Sequence, residues 1–348
     1  MNKIIKKAAV FILITAVVFS SISNDSISSQ ADGIKSVTIS LAGDCSLGKL
    51  AIHDYSNSFD QYFDNYGPDH FFKNVKPIFD LDDMTLVNFE GVLTNSNGLV
   101  KKQYNIKGRP EFNQVLVNSG IDAVTLGNNH RMDYGEQGLA DTLVSLNAIN
   151  MPYAFDEHTR IYTTKDGIKI GYVSVNEVYD GKKVENYLIS GISSLKKAGC
   201  DLVLACCHWG IELDKYPAPY QKELGHKCID WGADLVVGCH PHVLQGIEYY
   251  NGKYIIYSLG NFSFGGHKNP KDKKSMIVQA TINVAGHNAV GEASLKVIPC
   301  LISSVPNKND YCPTPATGTE YSKIIQNLNT YSRNLKVTID ANGNVFHK

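Results

Sequence analysis

The chain has 348 residues, of which 43% are hydrophobic and 19% are charged, and its formal net charge at pH 7 is −1. This composition is ordinary for a globular protein and allows a large buried core. A net charge so close to zero provides no global field that would favour nucleic acid or an anionic membrane, so no nucleic-acid partner is expected.

The first 23 residues differ from the rest of the chain. Three lysines within the first seven residues precede an apolar run over residues 8–19, and small polar residues follow it. This order is typical of a secretory signal, and the run is shorter than the ~20 residues of a transmembrane helix. An uncleaved anchor stays open, because the following residues could lengthen the buried stretch. We therefore expect a signal peptide or N-terminal membrane anchor at 1–23, a linker at 24–35, and an exported protein that is extracellular or bound to the outer face of the cytoplasmic membrane.

After the linker, strand-like and helix-like patterns alternate. Short apolar runs rich in β-branched residues predict strands, and apolar residues three and four positions apart predict helices. The predicted strands are 36–42, 84–89, 122–126, 161–164, 168–175, 201–207, 235–237, 246–250, 253–258, 276–284 and 293–298. The predicted helices are 136–149, 185–198, 217–231 and 321–335. Two turn sequences, Lys165-Asp166-Gly167 and Asn251-Gly252, favour β-hairpins between the strands that flank them.

Five of the apolar runs end in clusters of Asp, Asn, Glu or His residues. In α/β proteins the loops at the carboxyl ends of strands collect ligands and catalytic groups. The clusters are Gly43-Asp44, Asn88-Phe89-Glu90-Gly91, Gly127 to Gly135, His208-Trp209-Gly210-Ile211-Glu212, and Gly238 to Gln245. Carboxylate, carboxamide and imidazole ligands together suit Mn²⁺, Fe or Zn²⁺. Two such ions about 3.5–4 Å apart can hold a bridging hydroxide and a phosphoryl oxygen.

The order of these clusters resembles that of known proteins. The metallophosphoesterase superfamily places Asp-x-His, Gly-Asp, Gly-Asn-His, a lone His and Gly-x-His-x-His at successive strand ends, and this sequence looks like a variant of that series. It is more similar to the CapA family of poly-γ-glutamate capsule synthesis, over residues 37–264. The motifs that carry this resemblance are Gly43-Asp44, Asn88-x-Glu90-Gly91, Asn128-Asn129-His130-x-x-Asp133-Tyr134-Gly135, His208-Trp209-Gly210-x-Glu212, Gly238-x-His240-Pro241-His242 and Ser258-Leu259-Gly260-Asn261-Phe262.

The resemblance implies a metallophosphoesterase-like α/β fold. It would be a four-layer α/β/β/α sandwich of two mixed β-sheets, with helices on both outer faces and the metal cluster at the carboxyl ends of the strands. We expect the domain with the motifs at residues 36–310. Residues 311–348 are expected to be a C-terminal extension with a helix, packed outside that core.

The resemblance also implies roles for individual residues. Six residues match the superfamily's metal ligands: Asp44, Glu90, Asn129, His208, His240 and His242. His130 matches the histidine that donates a proton to the leaving group, and Asp133 is close enough in sequence to orient it. Four more residues are expected to support the ligands or contact substrate: Asn88, Glu212, Gln245 and Asn261.

Two positions depart from the superfamily pattern. Ser46 stands where the first motif has a histidine, and Glu90 replaces the aspartate that bridges the two metals. Both changes affect the first metal site more than the second. We therefore expect either one or two divalent ions, with Mn, Fe or Zn as the candidates.

Some of these residues also have simpler explanations. Asp44 and Asn129 are common turn formers or helix caps, and Trp209 is expected to be a packing residue. The spacing of the eight cysteines argues against a disulfide framework, because most of them lie in apolar runs or beside the polar clusters. Only Cys300 and Cys312 are expected to pair.

Three functions stay open from sequence. The first is poly-γ-glutamate capsule synthesis or export, in which the metal site binds or acts on poly-γ-glutamate or another anionic polymer beside membrane-embedded synthase components. The second is a free-standing metal-dependent hydrolase of phosphoester bonds, or of amide bonds in γ-glutamyl or cell-wall peptides. The third is a non-catalytic polyanion-binding module, which the serine at position 46 favours.

Overall fold

Nineteen strands and eight α-helices make up the regular structure of residues 33–348, the part of the chain that this computed structural model describes. The predicted signal peptide or anchor and most of the predicted linker lie outside the described residues. The strands are β1 Lys35–Ser46, β2 Lys49–Leu50, β3 Met84–Phe89, β4 Val92–Leu93, β5 Ile106–Gly108, β6 Ala123–Thr125, β7 Tyr153–Ala154, β8 Arg160–Thr163, β9 Lys169–Asn176, β10 Leu202–His208, β11 Leu235–Cys239, β12 Ile247–Tyr250, β13 Lys253–Ile256, β14 Asn261–Phe264, β15 Lys274–Ala285, β16 Asn288–Leu301, β17 Thr314–Pro315, β18 Val337–Ile339 and β19 Asn344–His347. The helices are α1 Phe59–Tyr66, α2 Lys76–Phe79, α3 Asn113–Val117, α4 Gly135–Ala148, α5 Glu177–Asp180, α6 Val184–Lys197, α7 Pro219–Asp230 and α8 Gly318–Tyr331.

Two large mixed sheets dominate the fold. The ten-stranded sheet runs β18-β19-β16-β15-β1-β3-β6-β7, with β14 also beside β1 and β17 beside β16. The six-stranded sheet runs β12-β13-β11-β10-β9-β8. The central strands are parallel within each sheet, β1-β3-β6 in one and β9-β10-β11 in the other, whereas β15 and β8 pair antiparallel with them. The prediction of an α/β protein with mixed sheets is confirmed; the small sheet β2-β5-β4 is an addition to it.

The alternation of side chains along the central strands explains how the two sheets share a core. Successive residues of a strand point to opposite faces. Ile39 and Leu41 of β1 lie in the same apolar cluster as Leu204 and Cys206 of β10, so this cluster takes side chains from both large sheets. The residues that alternate with these along β1 and β10 face two other apolar clusters, one beside each large sheet.

Helices cover the outer faces of the strands. Beside the ten-stranded sheet, Phe59 of α1 and Leu146 of α4 join an aromatic-rich cluster that also includes Ala42 of β1. Beside the six-stranded sheet, Leu188 of α6 and Leu224 of α7 pack in a cluster with the remaining side chains of β9 and β10. None of the helices within residues 33–348 combines the length and the apolar character needed to cross a membrane.

Several predicted elements agree closely with the observed ones. Strand β3 has the predicted bounds, and α4 and α6 each differ from prediction by one residue at either end. The Asn251-Gly252 turn joins β12 to β13 as predicted. Both of its residues have positive φ, 47° and 78°, which is the conformation that makes Asn-Gly favourable in tight hairpins.

The C-terminal segment is more integrated with the sheets than expected from sequence. Helix α8 begins three residues before the predicted start and buries Ile324, Ile325 and Leu328 in the cluster shared by the two sheets. Strand β19 pairs with β16, so the last strands extend the ten-stranded sheet. The predicted boundary at residue 310 stays a prediction. Cys300 and Cys312 are both buried free thiols, so the expected disulfide between them is not formed.

Candidate metal centre

The polar clusters predicted at strand ends meet at one edge of the two large sheets. Asp44 near the end of β1 is in register with Asn88 of β3 and with Asn261 of β14. His208 is the last residue of β10 and lies opposite Cys239, the last residue of β11. Parallel strands bring their carboxyl ends to the same side of a sheet, and this explains why residues so distant in sequence converge.

A close backbone approach positions Asp44. The Asp44 N–H donates a 3.0 Å hydrogen bond to the carbonyl oxygen of Gly260. A Cβ atom at Gly43 would lie 1.8 Å from that same oxygen, so position 43 admits only glycine. The residue after Gly260, Asn261, places its Oδ1 atom 2.9 Å from Nδ1 of His242. The Gly43-Asp44 and Gly260-Asn261 motifs therefore form one structural unit.

Glu90 is the centre of the cluster. Its Oε1 atom lies 3.6 Å from Nε2 of His208 and 3.8 Å from Nε2 of both His130 and His242. The side chain is fully buried, and neither carboxylate oxygen has a hydrogen-bond partner among the described residues. A buried carboxylate without partners is costly, and a bound cation is the usual means of offsetting that cost.

Three overlapping trios of side chains have ligand atoms within 4.8 Å of one another. They are Glu90, His208 and His240; Asp44, Glu90 and His242; and Glu212, His240 and His242. Glu90 belongs to the first two trios, which is the position expected of a bridging ligand. Asn129 lies beside the first trio, because its Oδ1 atom is 2.9 Å from Nε2 of His208. The six predicted ligands are therefore brought together.

Burial and neighbouring charges shift the pKa values of this cluster in both directions. Burial, followed by the charge of Asp44, raises the pKa of Glu90 well above its ordinary value. Burial and the nearby imidazoles hold the pKa of His208 well below its usual range and lower that of His240 to about 3. Both histidines are neutral at pH 7 and offer lone pairs. Burial acts to lower the pKa of His242, but Glu90 and Asp44 outweigh it and raise the pKa to about 10.

Asn88 contacts two of the predicted ligands. Its Nδ2 atom donates a 2.8 Å hydrogen bond to Oδ1 of Asp44 and lies 3.3 Å from Nδ1 of His208. Its Oδ1 atom accepts hydrogen bonds from Thr125 and Asn128. These bonds fix the orientation of the Asn88 amide. Through Asn88 they also orient Asp44 of the ten-stranded sheet and His208 of the six-stranded sheet.

His130 and Asp133 form the predicted pair, and a third residue joins them. Nδ1 of His130 lies 2.7 Å from Oδ2 of Asp133. Lys102 contacts both: its Nζ atom is 2.5 Å from Oδ1 of Asp133 and 3.3 Å from Nδ1 of His130, and it also donates to the carbonyl of Asn129. Sequence reasoning missed Lys102, because it belongs to the loop between β4 and β5 and to none of the motifs.

The remaining predicted residues differ in whether they contact the predicted ligands or only the loop beside them. Asn261 contacts His242, and Glu212 lies in the outer ligand trio although its side chain is exposed. Gln245 is fully buried but contacts the loop after Glu212, where its Nε2 atom donates to the carbonyls of Asp214 and Tyr216. Trp209 packs beneath the site, with its indole N–H donating to the carbonyl of Tyr257.

Ser46 lies on β1, two residues after Asp44. Its side chain is fully buried, and its hydroxyl has no hydrogen-bond partner within residues 33–348. A hydroxyl is a weaker metal ligand than an imidazole. Position 46 therefore adds no imidazole to the Asp44, Glu90 and His242 trio.

Comparisons with known proteins identify the family of this chain. Residues 38–266, about two thirds of the chain, match the family described as "Bacterial capsule synthesis protein PGA_cap". The chain belongs to the CapA family of capsule synthesis proteins. The matched region contains the predicted metal ligands and the His130–Asp133 pair.

Named relatives in this family are moderately similar. The PGA biosynthesis protein CapA of Bacillus subtilis (strain 168) is 32% identical over 249 residues, which are 66% of this chain and 63% of that protein. The capsule biosynthesis protein CapA of Bacillus anthracis is 28% identical over 81% of this chain and 70% of its own length. The match therefore spans less than two thirds of the B. subtilis protein.

Similarity to a solved structure is weaker. The crystal structure of a hypothetical protein from Thermus thermophilus covers 75% of this chain and 99% of its own, at 15% identity and a TM-score of 0.44. This degree of similarity does not define the fold class.

Proposed function

We propose that this CapA-family protein is an exported metal-dependent hydrolase of capsule synthesis that acts on poly-γ-glutamate or another anionic polymer. The observation that carries the proposal is Glu90. This fully buried carboxylate faces Nε2 atoms of three histidines at 3.6–3.8 Å and has no hydrogen-bond partner in the described chain. A cation at this point would satisfy the carboxylate and the neutral imidazole of His208.

The metal would be held by the six ligands already described, with Glu90 shared between two positions. A bound Mn, Fe or Zn ion would lower the pKa of a coordinated water and polarise the scissile group. Glu90 would be shared by two metal positions at the carboxyl ends of parallel strands. This supports the further proposal that the sheets and helices are layered as in a metallophosphoesterase. The buried hydroxyl of Ser46 favours one tight and one weaker ion.

The His130–Asp133 pair would supply the proton that the leaving group needs. Asp133 accepts a hydrogen bond from Lys102, so it acts as the acceptor for Nδ1–H of His130. The Nε2 atom of His130 then faces the centre, 3.8 Å from Glu90, where the imidazolium form can protonate a leaving group. Burial lowers the pKa of His130 although Asp133 acts to raise it, so the imidazolium would readily release its proton.

An exported location supports the choice of substrate. The lysine-rich and apolar start of the sequence predicts export, and the relatives from Bacillus are named for PGA and capsule biosynthesis. The proposal therefore locates the protein at the outer face of the cytoplasmic membrane or beyond it, near membrane-embedded synthase components. A polymer of carboxylates is a natural partner for a divalent ion with open coordination positions.

The test combines metal analysis with hydrolysis. The full chain, supplied with Mn²⁺, Fe²⁺ or Zn²⁺, is expected to retain one or two equivalents and to shorten poly-γ-glutamate, and an aryl phosphate is tested as a second substrate. His208→Ala should lose both properties. His287→Ala makes the same chemical change at an imidazole that is 75% exposed and should lose neither.

The other outcomes separate the competing functions. Metal retention without cleavage of either substrate would replace the hydrolase with a polyanion-binding module, the function that Ser46 favours. Cleavage of the aryl phosphate alone would favour a free-standing phosphoesterase. Absence of metal from the well-folded chain after supply of all three ions would overturn the metal mechanism.

A further inference from the structure

We infer that Glu212 is a metal ligand that closes the centre from the solvent side, together with His240 and His242. This inference rests on the proposed metal site and assigns one more ligand to it. Its basis is the outer trio, in which a carboxylate oxygen of Glu212 lies within 4.8 Å of ligand atoms of both His240 and His242. That trio shares His242 with the Asp44, Glu90 and His242 trio, and it shares His240 with the Glu90, His208 and His240 trio.

Hydrogen bonds hold the backbone around Glu212 against the histidine loop. The N–H of the next residue, Leu213, donates a 2.8 Å bond to the carbonyl of Pro241, between the two histidines. One residue further, the carbonyl of Asp214 accepts a 2.9 Å bond from the buried Gln245. The side chain of Glu212 is exposed, but the backbone next to it is hydrogen-bonded to the loop that carries His240 and His242.

The two facing loops also store backbone strain. His240, His242 and Leu213 all have positive φ, at 97°, 57° and 65°, although none is glycine. Residues other than glycine adopt this region at a cost and concentrate at functional sites when they do. Here the strained residues flank the space enclosed by the outer trio.

An unpartnered nitrogen provides an independent observation. His240 is 4% exposed, and its Nδ1 atom has no hydrogen-bond partner among the described residues. A buried imidazole nitrogen without a partner is uncommon, and metal ligation satisfies it directly. A carboxylate beside two imidazoles suits Mn²⁺, Fe or Zn²⁺.

Direct ligation by Glu212 must be distinguished from a field effect, in which its negative charge attracts the cation without coordinating it. Removing any negative charge near a cation weakens its binding, so Glu212→Gln alone would not separate the two explanations. Glu212→Asp keeps the charge and retracts the carboxylate by one methylene. Ligation predicts that both variants lose affinity, whereas a field effect predicts that Glu212→Asp binds as the wild type does. Glu157→Gln makes the same change at an exposed glutamate outside the trios.

The experiment is calorimetric titration of the metal-free full chain with Mn²⁺, followed by the absorption spectrum of the Co²⁺-loaded protein. Glu212→Gln and Glu212→Asp are both expected to weaken Mn²⁺ binding at one position by about tenfold or more, as loss of a supporting ligand interaction already does. Both should also change the Co²⁺ spectrum, and Glu157→Gln should change neither. Wild-type affinity and spectrum in Glu212→Asp would overturn the inference and leave the metal site intact. Failure of the wild type to bind either ion would overturn the proposed function itself.

Discussion

Lys102 donates a 2.5 Å hydrogen bond to Oδ1 of Asp133, and the lysine side chain is only 17% exposed. The other oxygen of Asp133 accepts a 2.5 Å bond from the backbone N–H of Ile106 and lies 2.7 Å from Nδ1 of His130. The carboxylate is thus held by three donors from two segments of the chain. This relationship ties the loop between β4 and β5 to the proposed proton donor.

We predict that Lys102→Ala lowers turnover more than it lowers metal content. Loss of the ammonium leaves Asp133 buried with one charge partner fewer, and breaking a buried pair in this way costs about 3 kcal/mol. Urea unfolding measures the stability, and elemental analysis measures the metal. Lys101→Ala, at the exposed neighbouring lysine, should leave stability and turnover unchanged. Equal behaviour of the two variants would contradict the role of Lys102.

We also predict that His208→Ala or His240→Ala loses bound metal far more than His130→Ala does. His208 and His240 belong to a ligand trio with Glu90, whereas His130 is engaged through Nδ1 by Asp133. Elemental analysis of the three variants after equal exposure to Mn²⁺ checks this ranking. The reverse ranking would reject the division into ligands and proton donor.

Much of the site followed from sequence, because each strand carries its polar residues immediately after its apolar run. Strand β3 is buried along its whole length, so its mostly apolar run predicted its bounds and placed Glu90 just beyond them. The same reasoning placed Asp44 and His208. Lys102 could not be found in this way, since its position beside Asp133 depends on how β2, β4 and β5 pair rather than on any local pattern.

The missed elements have physical reasons of two kinds. Helix α1 carries a local signal, because Ser58 accepts a hydrogen bond from the N–H of Gln61 and aromatic residues recur at helical spacing from Phe59. It is only eight residues long, so the periodicity is weak. Strands β18 and β19 are short and pair with each other. Only β19 pairs with β16, about 50 residues earlier, and no local pattern indicates that pairing.

The pH dependence of the metal-free protein provides a third prediction, based on His242. Glu90 and Asp44 outweigh the opposing effect of burial and raise the pKa of this imidazole to about 10, compared with about 6.5 in an unfolded chain. Between these values the folded state holds more protons than the unfolded state. The stabilisation is therefore complete below about pH 6.5 and is lost as pH rises toward 10.

The expected loss in the free energy of unfolding approaches about 1.4 kcal/mol per pH unit, the value for one proton. Urea unfolding of the chelator-treated protein between pH 7 and 9 measures it. His242→Asn should flatten this slope, and His287→Ala should not. Parallel slopes in wild type and His242→Asn would show that another group controls the alkaline loss of stability.

The last prediction concerns Gln245, whose amide holds the segment that carries Glu212. Its Nε2 atom donates to the carbonyls of Asp214 and Tyr216, and its Oε1 atom accepts a 3.0 Å bond from Gln221. Gln245→Ala removes these bonds inside a buried pocket and leaves the Gln221 amide without its acceptor, at a cost of about 1–3 kcal/mol. Amide hydrogen exchange should accelerate over residues 210–217.

The effect on metal should be smaller than that of Glu212→Gln, because Gln245→Ala keeps the carboxylate and only loosens its support. Gln137→Ala, at an exposed glutamine of α4, serves as the matched control and should leave exchange in the loop unchanged. If Gln245→Ala left exchange at 210–217 unchanged, the loop would be held by the Leu213 N–H bond to Pro241 alone. Gln245 would then contribute to the packing of the core and would not position Glu212.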